Sequence, residues 1–411
     1  MRGPRAIVMC ATLVACGAFM IPAAMGAPDT SGAPAGGVAG GGPAKVRAVA
    51  LTGQRAPSGG TFTEFSDPSI NGRGDLAFGG LTTNPRAHAA LYLLSGGRLR
   101  MLVASGQSAP TGGVFTSFND VVLNRRGTVL FLARTTDRTA RLGLYLVREG
   151  TVVSIVAAGQ LAPAGGVFTD FANPTINDQD VVAFVGRTTG AGGEGIFVTS
   201  EGTTAAAVMG GQPAPTGGVF QFFLDGTPAE NNRGQIAFVA STTVQSTQGI
   251  YVLTGGRTIP VVTTNDTAPA GGPFTEFGFV TLTDAGTVGF VGRTARSIVR
   301  EALYVTGRAT LVTLARQGEA VAGGALTTFT NVVMNNREEV VFEEGTPDPI
   351  PHAIFVATRA GVRPVSKAGD PAPGGGRFTA YSTPMLNDRG QVAFVAESDN
   401  GRHGIYLVGI R

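Results

Sequence analysis

The stretch GQLAPAGGVFTDFANPTINDQDVVAFVGRT, residues 159–188, decides the fold because the chain repeats it. One period earlier, residues 106–135 read GQSAPTGGVFTSFNDVVLNRRGTVLFLART. The first position of this unit recurs with spacings of 51 to 54 residues, at Gly53, Gly106, Gly159, Gly211, Asn265, Gly318 and Gly369. Seven units of nearly constant length indicate a repeat protein rather than a chain of unrelated domains.

Each unit contains four short β-like segments. In the third unit they cover residues 168–177, 181–185, 195–198 and 204–208. Four strands in a period of about 50 residues are typical of a propeller blade. The composition agrees, since the chain has 62 glycines and only 14% charged residues. We therefore predict an all-β fold, a seven-bladed β-propeller of four-stranded antiparallel blades.

The residue types in each segment predict its place in the blade. The second segment is continuously apolar, which favours a strand covered on both faces, and its aromatic residue recurs as Phe78, Phe131, Phe184, Phe238, Phe290, Phe342 and Phe394. The first segment contains a proline in four units, Pro68, Pro174, Pro228 and Pro384. Proline lacks the N–H that a central strand needs, so we place the first segment at the inner edge.

The two ends of the array are out of phase with the repeat. Residues 46–51 resemble a fourth segment, whereas residues 404–408 resemble a third segment. Every segment occurs seven times only if the N-terminal strand completes the last blade. This arrangement closes the ring and protects edges that would otherwise be exposed.

An Asn-x-x-Gly motif separates the first and second segments, at Asn71/Gly74, Asn124/Gly127, Asn231/Gly234 and Asn387/Gly390. One position changes in the other units, which carry Asp180, Thr283 and Glu338. Asn and Gly at these positions are typical of a type I turn. The alternative is a ring of asparagines that binds a ligand.

With Ala77-Phe78 after the first motif, and with the matching residues 231–238 and 387–394, the pattern resembles the NxxGxxAF tandem-repeat family of exported bacterial proteins. The resemblance spans residues 46–411. It implies export and surface attachment, and it brings no activity or catalytic residue to this chain. Members often carry a C-terminal anchor, and because residue 411 follows directly on a strand we expect any anchor to be at the N-terminus.

The N-terminal segment predicts export. Arg2 and Arg5 precede an apolar run that ends in a small-x-small site, so we expect a signal peptide at residues 1–26. A lipoprotein signal with Cys16 as the acylated residue is one alternative, and a membrane anchor is another. Residues 27–44 read as a flexible Gly/Ala/Pro-rich linker, and residues 45–411 as the propeller. Both cysteines lie in the signal segment, so the mature chain has no thiolate for a disulfide or a metal.

No catalytic or nucleotide-binding motif is present, and a net charge of +3 is too weak to indicate nucleic-acid binding. We expect no cofactor, no metal and no catalytic residue. A polar residue follows the first position of each unit: Gln54, Gln107, Gln160, Gln212, Asp266, Glu319 and Asp370. These side chains either cap loop backbone groups, which we prefer, or form a polar ring.

Sites on repeat proteins are expected where the repeat is broken. The three histidines, His88, His352 and His403, precede the third segments of units that become neighbours on closure, and acidic residues cluster nearby. Imidazoles and carboxylates suit metal binding or acid–base chemistry. We prefer a solvated polar rim, because other units carry polar residues there too. The candidate ligand-binding residues, if a site exists, are Glu343, Glu344, Asp348, His352, Glu397 and His403.

The sequence favours an exported, non-catalytic propeller scaffold, secreted, periplasmic or at the cell surface, whose loops bind a protein or glycan. We expect a monomer without a transmembrane span in the mature chain. The alternatives are a secreted polysaccharide lyase or hydrolase and a structural spacer of the envelope.

Overall fold

The computed structural model describes residues 45–410 apart from 225–227, 245–246, 265, 296, 308–309, 323 and 345–352. Every regular element in this part is a β-strand. The strands form seven antiparallel sheets, the blades of a propeller, and a two-stranded hairpin between blades 5 and 6. The predicted fold class is therefore confirmed. The predicted signal peptide, with Cys16, and the whole predicted linker lie outside the described residues.

The strand bounds follow chain order. The chain enters through β1 (Arg47–Leu51), and blade 1 then contains β2 (Phe62–Phe65), β3 (Ser69–Ile70), β4 (Leu76–Thr82), β5 (Ala89–Ser95) and β6 (Arg98–Ala104). Blades 2 and 3 contain β7 (Phe115–Leu123), β8 (Val129–Thr135), β9 (Leu142–Arg148) and β10 (Thr151–Ala157), then β11 (Phe168–Ile176), β12 (Val182–Thr188), β13 (Glu194–Ser200) and β14 (Thr203–Met209).

Blade 4 contains β15 (Phe220–Phe223), β16 (Ala229–Glu230), β17 (Ile236–Thr242), β18 (Gln248–Thr254) and β19 (Arg257–Thr263). Blade 5 contains β20 (Phe274–Leu282), β21 (Val288–Thr294), β22 (Glu301–Thr306) and β23 (Leu311–Arg316), followed by the hairpin β24 (Ala320–Val321) and β25 (Gly324–Ala325). Blades 6 and 7 contain β26 (Thr330–Met334), β27 (Val340–Glu344), β28 (Ala353–Thr358) and β29 (Gly361–Lys367), then β30 (Phe378–Tyr381), β31 (Met385–Leu386), β32 (Gln391–Ser398) and β33 (His403–Gly409).

The first strand of each blade lies at an edge of its sheet, as predicted. In blades 1, 4 and 7 this strand is broken into two short pieces, and Pro68, Pro228 and Pro384 lie in the breaks. In blade 3 the strand is continuous, but its register with β12 shifts between Ala172 and Thr175, around Pro174. The prolines thus occupy positions where no ladder hydrogen bond is lost.

The core lies between the blades. The described residues form seven apolar clusters, and each cluster combines side chains of two adjacent blades. Within a blade, the aromatic residue of the second strand stacks on an aromatic residue of the third. Phe184 and Phe197 are fully buried, with ring centroids 5.7 Å apart and planes at 18°. The equivalent pairs in the other blades stack as well.

The ring closes as the sequence phase predicted. β1 pairs antiparallel with β33, with Arg47 opposite Leu407 and Leu51 opposite Gly404. The clusters on both sides of this sheet are complete, since Ala50 packs in the cluster that joins blade 7 to blade 1 and Leu51 in the cluster that joins blade 6 to blade 7. The N-terminal strand is therefore the fourth strand of the last blade.

The polar residue at the start of each unit is a backbone cap, which confirms the preferred interpretation. The Gln160 Oε1 accepts a hydrogen bond of 3.0 Å from the backbone N–H of Ala157, three residues earlier. Gln54, Gln107, Gln212, Asp266, Glu319 and Asp370 accept the equivalent bond in the other units. These hydrogen bonds stabilise the loop that connects one blade to the next.

The described residues include no helix that could cross a membrane.

The closing strand gives a direct test of the ring. Leu51 is 5% exposed, so Leu51→Ala should lower the free energy of unfolding by about 2–5 kcal/mol, as buried Leu→Ala changes do. The matched control is Leu161→Ala, because Leu161 is 84% exposed in a loop between blades. Chemical denaturation measures both. If the two variants lost equally little stability, the N-terminal strand would not be part of the folded ring.

Candidate functional site

The Asn-x-x-Gly turns meet at one mouth of the central channel, on a face that we call the turn face. In blade 1 the Asn71 Oδ1 accepts hydrogen bonds from the backbone N–H groups of Arg73 (2.9 Å) and Asp75 (3.0 Å). Gly74 donates to the Asn71 carbonyl at 2.9 Å and has a φ of 86°. The predicted turn is confirmed, and its geometry explains both the Asn and the Gly.

The same asparagines have a second role that the sequence analysis missed. The Nδ2 of each one donates to the backbone carbonyl at the equivalent position in the next blade. Asn71 reaches Asn124 (3.0 Å), and Asn387 reaches back to Asn71 (2.9 Å), which carries the series across the chain closure. The other links start from Asn124, Asn177, Asn231 and Asn335. We call this series the Asn ring, and its asparagines are all buried.

The second hydrogen of each Nδ2 also needs an acceptor, because a buried amide that is left unsatisfied is costly. The acceptor is usually the residue four positions later in the same blade, such as Gln235 for Asn231 (2.9 Å) and Gln391 for Asn387 (2.9 Å). Blades 2 and 3 carry Thr128 and Val181 at that position instead. Their acceptors come from the next blade.

These departures from the repeat are coupled in pairs. Asn124 donates to Asp180 of blade 3 (2.7 Å), and Asn177 donates to Glu230 of blade 4 (2.9 Å). In blade 5, where Thr283 replaces the asparagine, Thr287 donates to Glu338 of blade 6 (2.9 Å). Asp180 and Glu338 stand where other units have the turn glycine, and both have a positive φ. Asp180 supplies the acceptor that blade 2 lacks, and Glu338 accepts from the Thr287 hydroxyl. Both hydrogen bonds are made from a strained backbone conformation.

A second circle of contacts lies just outside the Asn ring, at the next residue of each turn. The backbone N–H of Arg125 donates to Asp178 (2.8 Å), and that of Asp178 donates to Asn232 (2.8 Å). The same bond links Asn232 to Asp284, Asp284 to Asn336 and Asn336 to Asp388. The polar groups at the mouth are thus bonded to one another.

Blade 1 has Gly72 at this position, and the arginine of blade 2 occupies the space. A Cβ on Gly72 would lie 3.2 Å from the Arg125 Nε. The Arg125 guanidinium lies 3.6 Å from Asp178 on one side and 3.3 Å from Asp388 of blade 7 on the other. Arg125 therefore bridges three blades and pairs with two of the three carboxylates of this circle.

Inside the mouth is a cavity of about 200 Å³. The residue before each ring position lines it, and in six blades this residue is apolar: Ile70, Leu123, Ile176, Leu282, Met334 and Leu386. In blade 4 it is Glu230. The Oε1 of Glu230 accepts from Asn177, while its Oε2 is buried without a hydrogen-bond partner among the described residues. Burial raises the pKa of Glu230 to about 8, against the smaller opposing effect of the Thr175 hydroxyl.

The acidic candidates in blade 6 are buried and bonded. Glu343 and Glu344 are each 8% exposed on β27. Asn331 donates to the Glu343 Oε2 at 2.8 Å. Burial raises the pKa of Glu344, and hydrogen bonds from the backbone and side chain of Thr327 oppose that rise. Asp348 and His352 lie outside the described residues.

The two candidate residues of blade 7 form a pair on the face opposite the turn face. Glu397 and His403 are opposite each other on β32 and β33, with their Oε1 and Nε2 atoms 3.5 Å apart and both side chains nearly half exposed. Among the described residues, no three His, Cys, Asp or Glu side chains are grouped so that they could hold a metal ion.

Positions equivalent to the histidines join blades together. The side chains of Glu194, Gln248 and Glu301 accept a backbone N–H of the next blade, from Phe223 (3.2 Å), Phe277 (3.2 Å) and Phe329 (2.7 Å) respectively. The polar residue that begins the third strand therefore has a structural role in three blades.

A protein-family comparison adds the context. The model of the family described as "Family of unknown function (DUF7453)" matches residues 17–141, 136–252 and 242–406. The chain belongs to the DUF7453 family. The family's unit therefore matches three times along the DUF7453 chain, and each match covers more than one blade.

No curated protein matches the DUF7453 chain in sequence. A Mycobacterium tuberculosis puromycin-hydrolyzing peptidase aligns with a TM-score of 0.51 at 14% identity, over 85% of this chain and 52% of the peptidase. A puromycin hydrolase aligns with a TM-score of 0.52 at 13% identity, over 84% and 51% of the two chains. The DUF7453 chain thus spans about half the length of these enzymes. At this identity the likeness shows the propeller fold alone.

The Asn ring can be tested in blade 5, where the ring position is a threonine, Thr283. Thr283→Asn supplies the missing Nδ2 donor and should raise the free energy of unfolding by about 1 kcal/mol, a typical net value for a hydrogen bond. Asn124→Thr should keep the turn bond, as Thr283 does through its hydroxyl (3.0 Å from the N–H of Thr287), and lower stability by about 1–3 kcal/mol. Urea denaturation compares the two. Destabilisation by Thr283→Asn would contradict a ring held by these bonds.

Glu230 predicts a pH dependence. Its pKa is about 8 in the folded chain and about 4.3 in an unfolded one, so between these values the folded state holds a proton that the unfolded state releases. The contribution of Glu230 to stability therefore falls as pH rises through this range, by up to about 1.4 kcal/mol per pH unit. Glu230→Gln keeps an oxygen for Asn177 and should remove this fall.

The measurement is the free energy of unfolding of wild type and Glu230→Gln at several pH values between 5 and 8 (roughly the range between the two pKa values). The two curves should separate as pH rises, with the variant more stable at the alkaline end. Glu201→Gln, in an exposed hairpin, is the control for the Glu→Gln change. Parallel curves for wild type and Glu230→Gln would show that Glu230 is not buried in the cavity.

Proposed function

We propose that the DUF7453 chain is an exported, non-catalytic propeller scaffold whose loops bind a protein or glycan partner. The main support is that the polar side chains at the channel mouth are used in hydrogen bonds that join the blades. The Asn ring and the circle outside it bond to one another across the blade boundaries. The same face also carries exposed arginines at the third turn position of five blades: Arg73, Arg126, Arg233, Arg337 and Arg389.

The geometry of the acidic candidates supports binding over hydrolysis. A glycosidase needs two carboxyl groups about 5–10 Å apart that flank the bond to be broken. Glu343 and Glu344 are neighbours on one strand, so their side chains point to opposite faces of the sheet. Both are also buried. They therefore do not form a pair across an open cleft, and the lyase or hydrolase alternative has no support from them.

The N-terminal segment supports export. Residues 1–26 would be removed as a signal peptide, and residues 27–44 would tether the propeller. Acylation at Cys16 is the alternative route to the surface. The register of the Asn-x-x-Gly-x-x-Ala-Phe motif supports membership of the NxxGxxAF type, whose proteins are surface-attached. A closed ring whose blades leave only short sheet edges exposed fits a monomer.

One experiment tests export and binding together. The full chain is expressed in a bacterial host, and the N-terminus of the exported protein is determined: Ala27 is expected, whereas an acylated Cys16 would mean lipid anchoring. The protein is then tested against envelope glycans and secreted proteins for retention and for product formation. We expect retention of a partner without turnover.

The controls separate the alternatives. Turnover of a polysaccharide that is lost in Glu344→Gln, but kept in Glu201→Gln, would overturn the non-catalytic proposal. Retention of no partner at all, by a protein that unfolds cooperatively, would favour a structural spacer of the envelope. A chain that stays in the cytoplasm would contradict the proposed location.

A further inference from the structure

A groove on the turn face lies between blades 1 and 2 and encloses about 240 Å³. Four arginines line it: Arg73 and Arg100 from blade 1, and Arg126 and Arg148 from blade 2. We call this the arginine groove. All four side chains are exposed.

The turn glycine of blade 2 makes this convergence possible. A Cβ on Gly127 would lie 3.4 Å from the Nη2 of Arg73. Gly127 has a φ of 89° in its turn and leaves room above it, so the Arg73 guanidinium crosses the blade boundary toward Arg126. The groove is therefore assembled by two blades.

The positive charge of the groove is only partly neutralised. Arg126 and Arg148 share one carboxylate, Asp180, at 3.7 and 3.4 Å, and that residue also accepts from Asn124 in the ring. Arg73 lies 3.5 Å from Asp75. Arg100 has no ion pair with any of the described residues. Such a surplus attracts an anion.

The cluster breaks the repeat. At the boundary of blades 2 and 3 the equivalent residues are Arg126, Val153, Gln179 and Ser200. The boundary of blades 6 and 7 keeps three arginines, but two of them donate to carbonyls: Arg363 to Ile410, and Arg389 to Arg73 at 2.7 Å. The fold does not require an unpaired Arg100, so its guanidinium is available to a ligand.

The chemistry of the groove selects the class of ligand. Arginine forms bidentate, charge-assisted hydrogen bonds with carboxylate and sulfate groups. Asp75 and Glu149 also line the groove, and Ser95 adds a hydroxyl. These carboxylates repel a continuous phosphate backbone but accept hydrogen bonds from hydroxyl groups. A ligand that carries both an anionic group and several hydroxyls satisfies both sets.

We propose that the arginine groove binds one acidic sugar unit, carboxylated or sulfated, of a polysaccharide. Arg73 and Arg100 contact the anionic group, and Asp75 and Glu149 accept hydrogen bonds from sugar hydroxyls. The volume suits a single sugar unit, since drug-sized ligands occupy pockets of about 300 Å³ or more. This inference rests on the proposed binding function and names the ligand class.

The test measures binding of the full chain to four probes: an oligogalacturonate, dextran sulfate, uncharged dextran and poly-glutamate. At least one of the two acidic glycans should bind, and dextran should not. The two acidic arms tell a carboxylated unit from a sulfated one. Poly-glutamate is an acidic polymer without sugar hydroxyls, and equal or tighter binding of it would overturn the choice of a glycan.

Variants locate the site. Arg100→Ala should weaken binding of the acidic glycan about tenfold or more, as expected for the loss of a charge-assisted hydrogen bond. Arg100→Lys keeps the charge without the planar fork and should fall between wild type and Arg100→Ala. Arg257→Ala is the matched control, because Arg257 is an exposed arginine on the hairpin of blade 4. It should change the Kd less than about twofold, as a distant exposed charge largely screened by salt does.

Two outcomes overturn the inference without touching the proposed function. The first is equal weakening by Arg100→Ala and Arg257→Ala, which would indicate attraction to net charge alone. The second is tight binding of another partner, with no acidic glycan bound or no effect of Arg100→Ala. If the full chain binds no partner of any kind, the proposed function itself fails. Because Arg100 is exposed, unchanged chemical denaturation should show that its variants are folded.

Discussion

Each sheet of this chain carries apolar side chains on both faces, and only another sheet can cover them. That constraint determines the architecture: the seven apolar clusters lie between blades, and none is complete within a single blade. Apolar contact is non-directional, however, and does not fix how two sheets are aligned. The Asn ring supplies direction, because one amide holds its own turn through Oδ1 and the next blade through Nδ2. Burial drives the stacking, and these amides set its register.

Two departures from the repeat at the Asn ring keep its hydrogen bonds satisfied. Where a blade loses the acceptor four positions after its ring residue, the next blade supplies one, as Asp180 and Glu230 do. Hydrogen-bonding partners are matched in the same way on the face opposite the turn face. Tyr145 and Tyr251 bond their hydroxyls to Thr111 and Thr216. In blade 3 the residues equivalent to the tyrosine and the threonine are Phe197 and Ala164, so both hydroxyl groups are absent.

Blade 5 lacks this compensation, since Tyr304 keeps its hydroxyl while the partner position is Ala270. The hydroxyl is buried without a hydrogen-bond partner among the described residues, and burial raises its pKa to about 12. The same blade carries Thr283 in place of the ring asparagine. Two departures from the repeat thus fall in one unit.

Much of the fold could be predicted from sequence because the same pattern of four strands recurs in seven units. The period gave the number of blades, the prolines gave the edge strand, and the phase of residues 46–51 gave the closure. The second role of the asparagines was not predicted, since it depends on the register between blades. The sequence did contain a signal for these contacts between blades, since Asp180 and Glu338 replace the turn glycine. The arginine groove was also missed, because its residues lie far apart in sequence and surface arginines are common.

The pairing of β1 with β33 places both ends of the folded ring side by side in one sheet. The order in which the seven blades are connected is therefore a property of the gene and not of the packing. Residues 46 and 410 could be joined by a short linker, and new termini opened at an exposed hairpin such as Gly96–Gly97, without changing any contact between blades. Circular permutation of this kind would let a fused domain emerge from any chosen blade.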